Sequence, residues 1–171
     1  IDRVTVLAWS GGALDALVVA AGLADRVTGL TIVAGVVPRQ AYDDPAVRAA
    51  APQRVDLFDL ADEVGPGQLG PMVAPMLAPH PCDRTLALEH QADGRSAVDA
   101  AEVASVPGAD ARLADALVEA VRPGLGGVEA DVEALNHPFP VAPADVTCPV
   151  ALWWGTGDTV TPPAFGRWSA A

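Results

Sequence analysis

The apolar residues at the start of the chain change from an unbroken run to a helical spacing. Residues 4–8, VTVLA, are β-branched or apolar without alternation, which is typical of a strand buried on both faces of a parallel sheet. Between residues 12 and 23 the apolar positions recur at helical spacing. Residues 30–34, LTIVA, predict a second buried strand. The start of the chain therefore predicts a β-α-β unit.

The middle of the chain follows a different pattern. From about residue 43 to residue 136 it predicts six helical stretches separated by Pro and Gly, and no strand. The first begins at Asp44-Pro45, where an N-cap residue precedes proline at the first helical position. The other five are predicted at residues 53–64, 68–78, 96–106, 109–121 and 128–135. A series of helices without strands indicates an insertion mounted on a sheet.

A third strand is predicted near the end of the chain, at residues 149–154, PVALWW. It runs into a Gly-Thr-Gly-Asp turn that ends at Asp158, and Pro162-Pro163 opens a last short helix. The predicted fold class is α/β, with about three parallel strands and a helical insertion. The predicted division is a β-α-β part of the core at residues 1–38, a helical lid at residues 39–140, and a return to the core at residues 141–171.

Charge and hydropathy exclude several classes of partner. The chain has 22 acidic and 10 basic residues, a net charge of −12, and a mean hydropathy of +0.29. All ten basic residues are arginines without a basic cluster, so neither a nucleic-acid partner nor binding to an anionic membrane surface is expected. No apolar stretch reaches the ~20 residues that span a bilayer. The oligomeric state is left open.

Cysteine spacing and acidic clusters provide no sign of a bound group. Cys82 and Cys148 lie far apart and form no C-x-x-C motif, which favours a reducing, cytoplasmic compartment. Asp56, Asp59, Asp62 and Glu63 lie on one helical face, which is typical of a solvated surface. We therefore expect no metal and no cofactor.

Ser10 lies where the first strand meets the first helix, in the stretch VTVLAWSGGALD, and it has three interpretations. It is a nucleophile on a sharp turn of the G-x-S-x-G type, with Ala8 and Gly12 at the small-residue positions. Alternatively, Ser10-Gly11-Gly12 begins a phosphate-binding loop like that of the ATP pyrophosphatases. That loop needs S-G-G-x-D-S, and here Asp15 comes one residue late and the final serine is absent. In the third interpretation Ser10 is only a helix N-cap.

The two ends of the chain resemble the α/β-hydrolase family. The first resemblance lies in VTVLAWSGG, the helix after it, the LADRV turn and the strand LTIVAGVV. The second is DVTCPVALWWGTGDTVTP, residues 145–162, which is similar to the later strand of that family that carries the triad acid. Together they cover about a third of the chain, in the family's order of serine before acid. The segment GVEADVEALNHPF resembles the last helix of the family's lid.

The resemblance implies a serine hydrolase that acts on a small apolar ester, amide or related carbonyl compound through an acyl-enzyme. It makes Ser10 the nucleophile, Asp158 the acid that orients the histidine, and the Gly11 N–H an oxyanion donor. Trp9 is then a candidate for the substrate pocket, as are two methionines of the helical insertion, Met72 and Met76. A binding protein without catalysis, descended from the same fold, is the alternative.

The histidine position departs from the family pattern. The family's histidine follows the acid, whereas His80, His90 and His137 all precede Asp158. Surface or core roles are favoured for all three. The family's early strands, with the loop for a second oxyanion donor, are also absent before Ile1. These departures predict a partial chain that is poorly soluble and inactive by itself, because a serine without its base loses most of its activation.

Overall fold

The computed structural model describes residues 1–93 and 96–171. Three strands form one parallel sheet in the order β1-β2-β3: β1 (Val4–Trp9), β2 (Val27–Val33) and β3 (Val150–Trp153). Helix α1 (Gly12–Gly22) connects β1 to β2. The predicted α/β class with three parallel strands is confirmed.

The remaining helices occupy the middle and the end of the chain. They are α2 (Pro45–Ala50), α3 (Pro52–Val64), α4 (Leu69–Leu77), α5 (Arg84–Ala92), α6 (Ala97–Ser105), α7 (Ala109–Val121), α8 (Gly126–Asn136) and α9 (Pro163–Ser169), with 3₁₀ turns at Arg39–Asp43 and Pro143–Asp145. The predicted N-cap at Asp44 is confirmed, because its Oδ1 accepts a hydrogen bond from the Ala46 N–H at 2.7 Å.

Helix α5 was not predicted from the sequence. Asp83 caps it by accepting a hydrogen bond from the Leu86 N–H at 2.8 Å. Among its residues Ala87 is buried, whereas Leu86 and Leu88 are both exposed. A helix that buries so small a face has a weak apolar period, which is why the sequence pattern did not predict it.

The chain divides into two compact units, which are described separately. The first contains Ile1–Glu63 and Leu135–Ala171, and the second contains Val64–Ala134. In the second unit, the Glu133 carboxylate accepts hydrogen bonds from the N–H groups of Gly67 and Gly70, at 3.1 and 2.7 Å. A Cβ at Gly70 would lie 2.5 Å from the Glu129 carbonyl oxygen, so α4 and α8 approach closely there. The predicted boundaries at residues 38/39 and 140/141 stay predictions.

In the first unit, helix α1 covers one face of the sheet. Ala8, Leu30 and Ile32 from the strands are buried against apolar residues of α1 such as Leu14 and Leu17. Burial of large aliphatic side chains of this kind stabilises a fold by roughly 1.5–3 kcal/mol each. This cluster fixes where β1 and α1 meet, and hence where Ser10 lies.

The opposite face of the sheet is exposed. Trp9, Val33 and Trp153 are register partners across the three strands, so their side chains share this face, and Trp9 and Trp153 are 74% and 65% exposed. Leu7, two residues before Trp9, is 73% exposed. The expectation that β1 is buried on both faces is therefore wrong, because α1 packs on one face of the sheet and the alternate side chains of β1 point to the other. In the described residues, no helix is both long and apolar enough to cross a membrane.

Candidate functional site

Ser10 occupies a tight turn between β1 and α1, and its backbone is left-handed, with φ of 53°. The turn is held by hydrogen bonds on both sides of the residue. The Ser10 N–H donates to the Val33 carbonyl at 3.1 Å, and the Ser10 carbonyl accepts from the N–H groups of Ala13 and Val36 at 3.1 and 3.2 Å. A left-handed backbone is uncommon for a residue with a Cβ and costs about 1–2 kcal/mol, so it persists only where the surrounding fold imposes it.

The Ser10 side chain does not cap α1. The N-cap residue is Gly11, and no side chain accepts a hydrogen bond from the first turn of this helix. Within residues 1–93 and 96–171, Ser10 Oγ takes part in no hydrogen bond, and the residue is half-buried. The N-cap hypothesis for Ser10 is therefore wrong, because the left-handed turn places Ser10 before the capping position. The hydroxyl is left available to another partner.

The residues around the turn differ in how tightly they are packed. Ala8 is 7% exposed, in agreement with a small residue two positions before Ser10. A Cβ at Gly12 would meet no atom within 4 Å, so the expected steric need for glycine there is wrong. A Cβ at Gly11 would lie 3.9 Å from Leu135 Cδ1, which places that leucine beside the turn. No local sequence pattern indicates this contact, because the two residues are more than 120 positions apart.

The predicted oxyanion donor lies at the start of α1. Among the described residues, the Gly11 N–H donates to no backbone carbonyl. An unpaired backbone N–H at a helix N-terminus is suited to an anion, because the helix dipole adds to its partial positive charge. The geometry is therefore compatible with either an oxyanion or a phosphate oxygen at this position.

A second left-handed residue, Ala34, lies at the end of the neighbouring strand with φ of 47°. Its N–H donates to the Trp153 carbonyl at 2.7 Å. The next residue, Gly35, is closely packed, because a Cβ there would lie 2.4 Å from Ile32 Cγ2. Such backbone conformations concentrate at functional sites. The sequence did not indicate Ala34, because alanine carries no preference for left-handed backbone.

Asp158 lies in the loop after β3, and that loop holds its carboxylate. Oδ1 accepts from the N–H groups of Val160 and Thr161 at 2.9 and 2.8 Å, and Oδ2 accepts from Thr161 Oγ1 at 2.8 Å. Thr161 is 3% exposed, so the two bonds that it donates are partly shielded from water, whereas the bond from the Val160 N–H is exposed. A carboxylate has about four acceptor sites, so a further donor can still bind. A hydroxyl residue three positions after an aspartate is a sequence signal that could have identified Thr161.

Ser10 and Asp158 follow the carboxyl ends of β1 and β3. These strands are parallel and lie on either side of β2, so both residues belong to the same edge of the sheet. Adjacent strands are about 4.8 Å apart, which separates β1 from β3 by about 10 Å. Ligands of open parallel sheets bind outside this edge.

The three predicted pocket residues all have exposed side chains. Trp9 lies on the uncovered sheet face, and in the second unit Met72 and Met76 on α4 are 52% and 79% exposed. Their role in a substrate pocket stays a prediction.

Two of the histidines have defined surroundings. The His90 ring Nε2 lies 3.0 Å from the Leu77 carbonyl oxygen. The pKa of Asp62 lies below its usual value mainly because of the hydrogen bond from Arg39, and His137, which follows α8, adds a smaller electrostatic contribution. The hydrogen bond of His90 involves neither Ser10 nor Asp158.

In the part of the chain that the structure describes, no group of three or more metal-binding side chains is clustered. The site therefore consists of a serine on a strained turn, an unpaired N–H and a carboxylate at one sheet edge. No family model matches the chain, and no curated protein and no solved structure is detectably similar to it.

Proposed function

We propose that this chain carries the nucleophile and the orienting acid of a serine hydrolase of the α/β-hydrolase type. Ser10 is the proposed nucleophile, Asp158 the proposed acid, and the Gly11 N–H the proposed oxyanion donor. The helices between residues 39 and 140 are the proposed lid. The proposed substrate is a small apolar ester, amide or related carbonyl compound.

The left-handed backbone of Ser10 is the observation that carries the proposal. A helix cap or an ordinary turn has no need of a serine at φ of 53°, where glycine is less strained. A nucleophile elbow does, because the sharp strand-to-helix turn holds the hydroxyl above the sheet edge. The free hydroxyl of Ser10 and the unpaired Gly11 N–H on the next residue support the same interpretation.

In the proposed reaction, Ser10 Oγ attacks the substrate carbonyl carbon while its proton passes to a histidine. The carbonyl electron pair moves to oxygen, and the Gly11 N–H stabilises the resulting oxyanion, a contribution worth about 3 kcal/mol for one such donor. The intermediate collapses, and the leaving group takes the proton from the histidine. Water then attacks the acyl-enzyme with the same histidine as base, which releases the acid and restores Ser10.

Asp158 is proposed to accept a hydrogen bond from that histidine and to fix its tautomer. Its carboxylate is already oriented by the bonds from Val160 and Thr161, so little freedom is lost when a further donor binds. None of the three histidines follows Asp158 in the sequence. We therefore do not assign the base to His80, His90 or His137.

Imidazole rescue of p-nitrophenyl butyrate hydrolysis tests the proposal with the chain as it is. Without imidazole we expect no turnover above background. With added imidazole we expect an ester-cleavage rate that depends on Ser10 and disappears in Ser10→Ala. Ser105→Ala is the matched control, because Ser105 is a helix serine whose hydroxyl donates to the Glu102 carbonyl.

Two results would contradict the proposal. In the first, Ser10→Ala leaves the imidazole-dependent rate unchanged, which would favour a binding protein without catalysis. In the second, ATP raises the melting temperature and Ser10→Ala abolishes that rise, which would favour the phosphate-binding loop. If turnover without imidazole depends on Ser10, the assignment of Ser10 as the nucleophile would still hold, but the catalytic base would lie within this chain.

A further inference from the structure

A cavity of about 360 Å³ lies within the first unit, between the 3₁₀ turn Arg39–Asp43 and helices α2 and α3. Its volume is within the range of sites for small molecules, roughly 300–1,000 Å³. It contains neither Ser10 nor Asp158. It is therefore independent of the proposed hydrolase site.

The apolar wall of this cavity is formed mainly by two buried aromatic rings. Tyr42 and Phe58 are 3% and 4% exposed, and their rings meet edge to face at 4.9 Å between centroids. Val55 and Pro138 extend this wall. Burial raises the pKa of the Tyr42 hydroxyl further above its ordinary value, so the ring carries no charge at neutral pH with or without this shift. The wall suits an apolar group of the ligand.

The charges that line the cavity differ in whether they are already paired. Arg39 is paired, because its guanidinium binds both carboxylate oxygens of Asp62 and lies 5.2 Å from the Phe58 centroid. Arg48 uses only its Nε, which donates to the Tyr42 carbonyl at 3.0 Å. The rest of its guanidinium forms no hydrogen bond within the described residues, and the same holds for the carboxylate of Asp43.

The unpaired charges of Arg48 and Asp43 are opposite in sign, and both residues are exposed. The backbone of Tyr42 holds Arg48, and Asp43 is the following residue. A purely anionic ligand would be repelled by Asp43, by Asp59 in the same lining and by the net charge of −12. A purely cationic ligand could pair with Asp43 but would leave the free edge of Arg48 without a partner. A ligand that carries both charges can pair with Arg48 and with Asp43.

We infer that this cavity binds a zwitterionic α-amino acid with an apolar side chain. The ligand carboxylate pairs with the free edge of Arg48, and its ammonium group pairs with Asp43. The apolar side chain lies against Phe58 and Val55. Arg39 is a fixed part of the wall, since Asp62 already neutralises it.

The chain has a single tyrosine, so Tyr42 provides a site-specific probe. Labelling with 3-fluorotyrosine gives one protein ¹⁹F resonance, and titration with L-leucine is expected to shift it with saturation. We expect a dissociation constant of about 1 mM or below. N-acetyl-L-leucine lacks the ammonium group and L-leucinamide lacks the carboxylate, so each should bind at least about tenfold more weakly.

Two variants test the assigned charges. Arg48→Gln and Asp43→Asn should each weaken L-leucine binding by roughly ten- to a hundredfold, the range for a lost charge-assisted hydrogen bond. The matched controls Arg167→Gln and Asp56→Asn remove exposed charges that do not line the cavity and should leave binding unchanged. An unchanged melting temperature in all four shows that each variant is folded.

Three results would overturn the inference. They are the absence of a saturable shift, equal binding of L-leucine and its two derivatives, and equal weakening by the lining and control variants. Each can occur whether or not Ser10 is a nucleophile, so this test and the test of the proposed hydrolase fail separately.

Discussion

Replacement of Ser10 by glycine should stabilise this protein while it removes the proposed nucleophile. The left-handed φ of 53° costs a residue with a Cβ about 1–2 kcal/mol, and glycine avoids that cost. Glycine also gives the unfolded chain more freedom, which lowers stability by about 0.4–1 kcal/mol. Because Ser10 Oγ has no hydrogen-bond partner within the described residues, its removal loses no bond. The net expectation for Ser10→Gly is a gain of about 0.8 kcal/mol, within a range of roughly 0–1.6 kcal/mol.

Urea denaturation followed by circular dichroism measures this gain. The transition midpoint should rise, while the dependence of the unfolding free energy on urea concentration should stay the same. For a chain of this length the melting temperature should rise by about 2–4 °C per kcal/mol. Ser10→Ala keeps the Cβ and should change stability by less than about 0.5 kcal/mol. Ala116→Gly, on the exposed face of α7, is the control. It should lower the free energy of unfolding, because glycine in a helix interior costs about 1 kcal/mol. A loss of stability in Ser10→Gly similar to that in Ala116→Gly would refute a strained turn.

Three other perturbations have defined outcomes. Gly35→Ala should destabilise the chain by about 1–3 kcal/mol in urea denaturation, because the new Cβ would lie 2.4 Å from Ile32 Cγ2 and the backbone must move. Asp62→Asn should flatten the acid side of the pH–stability curve. The hydrogen bond from Arg39 holds the pKa of Asp62 below its usual value, so its contribution is present above about pH 4 and is lost as pH falls through the folded-state pKa. Trp9→Ser should lower light scattering of concentrated samples, because it removes an apolar side chain that is 74% exposed beside an unpaired strand edge.

Each of these perturbations has a control or a contradicting result. Gly12→Ala has open space around the new Cβ and should not destabilise the chain, so an equal loss there would remove the steric explanation for Gly35. If stability falls as steeply at acid pH in Asp62→Asn as in the wild type, other carboxylates determine the acid side of the pH–stability curve. Unchanged scattering in Trp9→Ser would show that the uncovered sheet face does not drive association.

The strands and most helices were predictable because they depend on local pattern. The apolar runs at β1 and β3 and the Asp44-Pro45 signal are visible in short windows of sequence. The start of β2 at Val27 was not predicted, because Thr28 and Gly29 interrupt its apolar run and the strand extends by pairing with β1. Pairing across more than 20 positions overrides local propensity.

The candidate site was predictable only in part. The order of Ser10 and Asp158 relative to strands is a sequence feature, and the topology places both at one sheet edge. The left-handed Ala34, the contact of Leu135 with the turn and the pairing of Arg39 with Asp62 depend on tertiary structure. No local pattern encodes them. The exposed face of the sheet was also missed, because an apolar run does not reveal which face is covered.

The most direct measurement of the central claim is the site at which a fluorophosphonate probe reacts, with imidazole present, determined by peptide mass spectrometry. The chain has four serines, Ser10, Ser96, Ser105 and Ser169, so one digest compares them all. The proposed elbow predicts that Ser10 is labelled at least about a hundredfold faster than the other three, as expected for an activated hydroxyl beside an oxyanion donor. Equal labelling of Ser10 and Ser105 would contradict the claim that this turn activates its serine.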